Sequence, residues 1–225
     1  MAGKTRKKRS GRKRKAKKIN VSIWAIAAVI AALAALICMP YLKDKPQPDR
    51  GAKVPDGYYC YGIDISKYQP QIRWDSLKVL TDAHKRTIRS STYAKDIKNI
   101  SFAFIKATEG VSLKDKHFRR HWKNAHKAGI RRGAYHFFRS SKDAGEQAEH
   151  FINTVGELSE NDLPPVLDIE TMHKGCSRKT LNDKALTWLR IVEGHYGRKP
   201  IVYSSASFLK DNLSKEIQDN YPIWV

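Results

Sequence analysis

Asp168 and Glu170, separated by Ile169 and preceded by the apolar run Pro164-Pro165-Val166-Leu167, are the residues in this chain best spaced for chemistry. An extended strand alternates its faces and rises roughly 3.3 Å per residue, so these carboxylates share a face about 6.5 Å apart at the backbone. Two like charges that close do not both ionise cheaply, and one is expected to keep its proton towards neutral pH. A protonated acid beside an anionic one is the division of labour that glycosidic bond cleavage needs. Taken alone, Asp-x-Glu is also the pattern of a helix-capping Asp and a surface-paired Glu.

Further candidates stand where other strands should end. They are Asp64 after Tyr61-Gly62-Ile63, Lys106 and Glu109 in Lys-Ala-Thr-Glu-Gly, Tyr135-His136-Phe137, Tyr203 and Trp224. Sugar rings offer apolar faces to aromatics and hydroxyls to carboxylates, so this mixture suits a glycan cleft better than a phosphate or a hydrophobic ligand. Each has a plainer alternative: Tyr135 and Phe137 as core, Lys106 and Glu109 as a buried pair, Asp64 as a helix cap.

The elements that would position these residues are strand-like apolar runs at 59–65, 100–107, 132–138, 165–169, 200–204 and 221–225. Helical periodicity appears between them at 115–128, 144–155 and 183–196. Alternating strand and helix imply parallel strands joined by right-handed crossovers, in a β/α barrel or a doubly wound sheet. No glycine-rich phosphate loop follows the first strand, which favours the barrel. In a barrel the carboxyl ends of the strands share the face that holds active sites.

No His or Cys cluster has metal-ligand spacing, and His117, His121 and His126 read as surface residues of one helix. Cys60 and Cys176 fall at opposite ends of their strands, beyond the roughly 7 Å that a disulfide spans between α-carbons, and are expected to be free.

The formal net charge is +21, and eleven cationic residues fall within the first 18. That block cannot bury a core. The apolar run that follows, within residues 19–42, approaches the roughly 20 residues needed to cross a bilayer, and flanking cations stay on the cytoplasmic side. The tail is therefore read as a topology signal rather than a nucleic-acid-binding arm. The span is read as an uncleaved anchor that places the rest of the chain outside the cytoplasmic membrane. Residues 43–57, with Pro46, Pro48 and Pro55, form a linker. Residues 58–225 form one domain, itself basic, which suits an anionic partner such as cell-wall polymer.

Four ordered motifs carry a family resemblance: Gly62-Ile63-Asp64-Ile65-Ser66 with Gln69, Phe104-Ile105-Lys106-Ala107-Thr108-Glu109-Gly110, Gly133-Ala134-Tyr135-His136-Phe137, and Leu167-Asp168-Ile169-Glu170. Residues 58–225 thereby resemble the family 25 glycoside hydrolases, lysozymes that cleave N-acetylmuramic acid linkages in peptidoglycan. The resemblance implies an irregular TIM-like β/α barrel of about eight strands, with neither metal nor cofactor. It makes Glu170 the general acid, Asp168 its partner carboxylate and Asp64 the acid ending the first strand. Tyr135, Phe137, Tyr203, Lys106, Glu109 and Trp224 are then the substrate-binding set, and peptidoglycan glycan strands the partner. A peptidoglycan-binding protein without turnover, or an inactive truncated fragment, is the alternative.

Two departures stand out. Residues 79–99 are longer than the connection usual there and are expected to form a helix and loop beside the barrel. The chain also stops at Val225, before the late-strand acid the family usually supplies, so the last strands are expected to be missing and the barrel incomplete.

Overall fold

A computed structural model describes residues 51, 53, 54, 57 and 60–225. The basic tail, the apolar span at 19–42 and most of the linker lie outside the described residues. Among the described residues, no helix is long and apolar enough to cross a membrane.

The strands are β1 (Tyr61–Ile65), β2 (Lys78–Thr81), β3 (Thr87–Ile88), β4 (Asp96–Glu109), β5 (Leu113–Lys114), β6 (Arg131–Phe137), β7 (Val166–Asp168), β8 (Ile201–Tyr203) and β9 (Ile223–Trp224). The helices are α1 (Phe118–Lys127), α2 (Ala144–Val155), α3 (Arg178–Tyr196), α4 (Ala206–Asn212) and α5 (Lys215–Asn220). Strands β1, β4, β6, β7, β8 and β9 pair in that order, all parallel. They correspond to the six apolar runs, and helices fill most of the crossovers between them.

Among the described residues the sheet is not closed, as expected of an incomplete barrel, but it is not all parallel either. It is mixed, because β2 pairs antiparallel with residues 96–99 of β4 and β5 pairs antiparallel with its other end. Among the described residues no pairing joins β9 to β1.

Residues 79–99 also differ from expectation. Instead of a helix they form the β2–β3 hairpin, a short 3-10 turn at Ser91–Tyr93 and the start of β4. Asp82 closes the hairpin by accepting from the backbone N–H of His84 (2.8 Å) and of Arg86 (2.9 Å), while Lys85 takes a positive φ of 59°. An Asx-type turn of this kind offers the backbone an alternative to helix. The hairpin loop also receives the end of the linker, where Val54 N–H donates to Lys85 O at 2.8 Å.

Strand alternation sorts side chains between two faces. Ala103, Ile105, Ala107, Ala134, Leu167, Ile169 and Val202 are all buried towards the helices. There they meet Phe118, Trp122 and Ala125 of α1, Ala148, Phe151 and Val155 of α2, and Leu181, Trp188, Leu189 and Val192 of α3. Each large side chain buried this way contributes roughly 1.5–3 kcal/mol.

Helix boundaries follow capping. Helix α2 matches its expected range, with Asp143 capping Glu146 N–H. Helix α3 begins five residues before its apolar period does, because Ser177 Oγ caps Thr180 N–H at 3.0 Å and carries the polar first turn. Helix α1 begins later than expected. Asp115 lies outside it, buried, and accepts from Lys67 N–H at 2.6 Å and His117 N–H at 2.9 Å.

Phe151 is fully buried among Trp188, His136 and Tyr196. Phe151→Ala should therefore lower stability by about 3–5 kcal/mol, read as a fall in the urea midpoint at unchanged slope.

Candidate active site

The face of the sheet turned away from the helices carries the polar and aromatic residues. One row runs across neighbouring strands in register: Glu109 on β4 beside Phe137 on β6, then Asp168 on β7, Tyr203 on β8 and Trp224 on β9. A second row places Lys106 beside Tyr135 and Tyr135 beside Val166. Asp64, Tyr135, Val166, Asp168, Glu170, Tyr203 and Trp224 line one hollow of about 160 Å³. All three acids expected from the sequence thus meet at one place. The expected binding residues divide, since Tyr135, Tyr203 and Trp224 line the hollow while Lys106, Glu109 and Phe137 stand beside it.

The backbone holding the acid pair is pinned from both sides. Phe138 N–H donates to Asp168 O at 2.8 Å, Ile169 N–H donates to Tyr203 O at 3.0 Å, and Ser204 Oγ donates to Ile169 O at 2.7 Å. Ile169 is fully buried on the helix side. Its two neighbours are thereby turned to the hollow.

The loop that follows Asp64 is fixed as well. Ser66 N–H donates to Gln69 Oε1 at 3.0 Å, and Gln69 O lies 2.9 Å from His121 Nε2. His121 is only 2% exposed, so it is not the surface residue its neighbours Arg119, Arg120 and Lys123 suggested. Burial pushes its imidazole down, with the Gln69 carbonyl opposing. Asp64 itself is exposed at the mouth.

Asp168 is the electrostatic centre of the site. It is 8% exposed, and its Oδ1 is buried without a hydrogen-bond partner among the described residues. Burial, followed by the charge of Glu170 and more weakly those of Asp64 and Glu109, pushes its carboxyl up to about 7, against a lowering by Lys106. Tyr203 is pushed up by burial and by Glu170, Asp168 and Asp64, and Tyr135 by burial, Asp168 and Asp64. Both phenols therefore remain donors at neutral pH. Trp224 packs against Tyr203 (4.8 Å between centroids) and Phe104 (5.0 Å), forming an aromatic wall.

Beside the hollow, Lys106 Nζ donates to Glu109 Oε2 at 2.7 Å and sits 4.8 Å from the Phe137 ring centroid. Arg139 Nε donates to Glu109 Oε1 at 2.9 Å, and its guanidinium lies 4.6 Å from the same ring. Burial raises the Glu109 carboxyl, but hydrogen bonds from Lys106 and Arg139 prevail and hold it below the usual range. Arg139, Val166 and Phe104 were not among the site residues expected from the sequence. Phe104 and Val166 were readable from strand alternation, while nothing local marks Arg139.

His136 faces the helices, fully buried, where burial pushes it down to about 3. It is neutral there. Its Nε2 lies 3.2 Å from the acceptor Gln147 Oε1 and so carries the proton, leaving Nδ1 to accept from Thr108 Oγ1 at 2.7 Å. Among the described residues no group of His, Cys, Asp and Glu is placed to hold a metal ion. Cys60 and Cys176 are both free thiols. A larger hollow of about 320 Å³, lined by Arg190, Glu193, Lys199, Glu216 and Tyr221 among others, has its charges largely paired, with Arg190 Nη2 2.7 Å from Glu216 Oε1.

The model of the family described as Glycosyl hydrolases family 25 matches residues 63–225. The chain is similar to YegX of Escherichia coli strain K12, 38% identical over 181 residues, covering 80% of this chain and 61% of YegX. It is also similar to Lysozyme M1 of Streptomyces globisporus, 36% identical over 155 residues, covering 65% of this chain and 47% of that one. The chain thus spans about three fifths of YegX and half of Lysozyme M1. Among solved structures it resembles a family 25 glycosyl hydrolase from Bacillus anthracis (TM-score 0.64, 32% identity, 78% of this chain and 74% of that one). A bacterial lysozyme from Streptomyces coelicolor matches similarly (TM-score 0.62, 31% identity, 76% and 75%).

Because Asp168 titrates near 7 when folded and near 4 when unfolded, the native state binds more protons between those values. Its contribution to stability is complete below about pH 4 and is lost as pH rises through about 7. Asp168→Asn should remove this dependence and raise stability at pH 8 by on the order of 2–4 kcal/mol, measured by urea unfolding at pH 5 and pH 8. Equal pH dependence in both proteins would contradict the burial-driven shift.

Proposed function

The chain belongs to glycosyl hydrolases family 25, and from that premise and the site's geometry we propose that it is a membrane-anchored lysozyme. It hydrolyses the β-1,4 bond between N-acetylmuramic acid and N-acetylglucosamine in peptidoglycan. The observation that carries this reading is the convergence of Asp64, Asp168 and Glu170 on one aromatic-walled hollow. Such a site receives a pyranose ring on Tyr203 and Trp224 and presents acids to its hydroxyls and its glycosidic oxygen.

Burial and the charge of Glu170 keep a proton on Asp168 near neutral pH. A substrate acetamido N–H donating to Asp168 stabilises the anion, and the proton then resides on Glu170. Glu170 gives it to the leaving oxygen, while anionic Asp168 orients the acetamido group and stabilises the positive charge developing on the sugar. Asp64 holds a sugar hydroxyl or water, and its charge keeps the pair protonated.

Anchoring rests on the sequence: an apolar run within residues 19–42 behind a block of eleven cations. In that topology the N-terminus is cytoplasmic and the basic lysozyme domain faces the wall, where anionic polymer concentrates near it.

Proton donation of this kind is worth about 10²–10⁴ in rate. Glu170→Gln should lose that factor in reducing-sugar release from purified peptidoglycan while still sedimenting with it. An unchanged rate would refute the assignment, and a wild-type chain that binds without releasing reducing ends would make it a glycan-binding protein instead. The full chain should also stay in the membrane pellet after alkaline carbonate extraction, and removal of residues 1–42 should release it. Release of the intact chain would sink the anchor.

A further inference from the structure

Residues three apart in a regular strand point to opposite faces, yet Lys106 and Glu109 lie on the same face and join at 2.7 Å. The cause is a bulge. Pairing between β4 and β6 runs regularly to Lys106 beside Tyr135, skips Ala107, and resumes with Thr108 beside His136 and Glu109 beside Phe137. An extra residue of this kind re-aims the side chains that follow it. Here it brings Glu109 back over the site face, into the row that continues through Phe137 to Asp168.

The result is a lysine with two places to go. Glu109 and Asp168 are two strand spacings apart, about 10 Å, and Lys106 lies between them over the Phe137 ring. Asp168 offers a buried oxygen with no hydrogen-bond partner among the described residues, and Lys106 is the cation among the charges that act on it. Glu109 is the better anchored of the two acids, because Arg139 holds its other oxygen. We propose that Glu109 is a positioning residue that retains Lys106 beside the hollow and so prevents an ion pair between Lys106 and Asp168 that would hold Asp168 as the anion.

The groups facing Asp168 are few enough to separate the contributions. Asp64 stands on β1, Lys106 and Glu109 on β4, Tyr135 on β6, Glu170 beyond β7 and Tyr203 on β8, while β9 brings only the uncharged Trp224. Asp64, Glu170 and Glu109 act to keep Asp168 protonated and Lys106 acts against them. Glu109 therefore has two routes to Asp168. One is the weak direct repulsion of its own charge, and the other is its hold on Lys106, which the bulge exists to make possible.

The inference rests on the lysozyme reading for its effect on turnover, but its test needs no substrate. The titration of the Asp168 carboxyl is followed by carbon NMR in the wild type, Glu109→Gln, Lys106→Met and the double variant. Glu109→Gln should lower the Asp168 midpoint by about one pH unit or more, a tenfold change in proton affinity. Lys106→Met should raise it, and the double variant should match Lys106→Met, since Glu109 has nothing left to retain. An unshifted midpoint in Glu109→Gln, or a double variant well below Lys106→Met, overturns the proposal. Should Glu109→Gln fail to fold, Glu109→Asp takes its place: the carboxylate, drawn back by one methylene, loosens its hold on Lys106 at unchanged charge, and an unshifted Asp168 midpoint overturns the proposal.

In turnover, Glu109→Gln should move the alkaline limb of the pH–rate profile to lower pH by the same interval, with kcat falling more than KM rises. A wild type without activity on peptidoglycan would end the lysozyme reading and leave the titration result standing.

Discussion

A carboxyl group held out of water among three other acids is the condition on which the rest of this site depends. Among the described residues Asp168 has one oxygen without a hydrogen-bond partner, and every acid that shares its face adds repulsion. Burial of an ionised carboxylate without compensation is among the costlier arrangements a small domain can hold, so the group stays protonated instead. That proton is what a glycosidase must bring to a leaving group at neutral pH. The stability lost as the group ionises is therefore part of the chemistry, a local defect which the packed side of the sheet offsets.

The compensation is visible on the other side of the same strands. Leu167 and Ile169, which flank Asp168, are fully buried against the helices, and Tyr203 is flanked by Val202 and Ser204, the latter donating to Ile169 O. Asp168 is thus carried by a backbone whose neighbouring residues are locked in the core. His136 does the same for β6, neutral and hydrogen-bonded at both nitrogens while Tyr135 and Phe137 beside it face the site. A polar group in a core is tolerated when every donor and acceptor is satisfied.

Strand alternation made the acid pair and the six parallel strands legible in the sequence, because a period of two is a strong signal when one face is fully apolar. What escaped was set by contacts distant in sequence or by turn chemistry. His121 reads as a surface residue from its charged neighbours, and only the Gln69 carbonyl, brought to it by the β1 loop, explains its burial. The β2–β3 hairpin hides in a polar segment because Asp82 and Lys85, rather than glycine, make its turn. Of the two readings given for Lys106 and Glu109, the structure shows the ion pair, part-buried beside the hollow. Their pairing depends on a bulge that no local pattern in Lys-Ala-Thr-Glu announces.

The hollow also constrains the curvature of the sheet. Asp64 comes from β1 and Trp224 from β9, strands that each have one parallel partner and stand at opposite ends of the pairing order β1, β4, β6, β7, β8, β9. Side chains from the two ends of a flat sheet of that width would lie some 24 Å apart, at about 4.8 Å per strand spacing. That both line one space of about 160 Å³ requires the sheet to curl far enough to face its own edge, although no hydrogen bonds join β9 to β1 among the described residues. Curvature must then come from twist and side-chain packing rather than from closure. The aromatic contacts of Trp224 with Phe104 on β4, across the interior from β9, are where that packing is made. An acid on one edge and an aromatic wall on the other make the cleft a property of the whole sheet, so the distance from Asp64 to the catalytic pair is only as well defined as that curl.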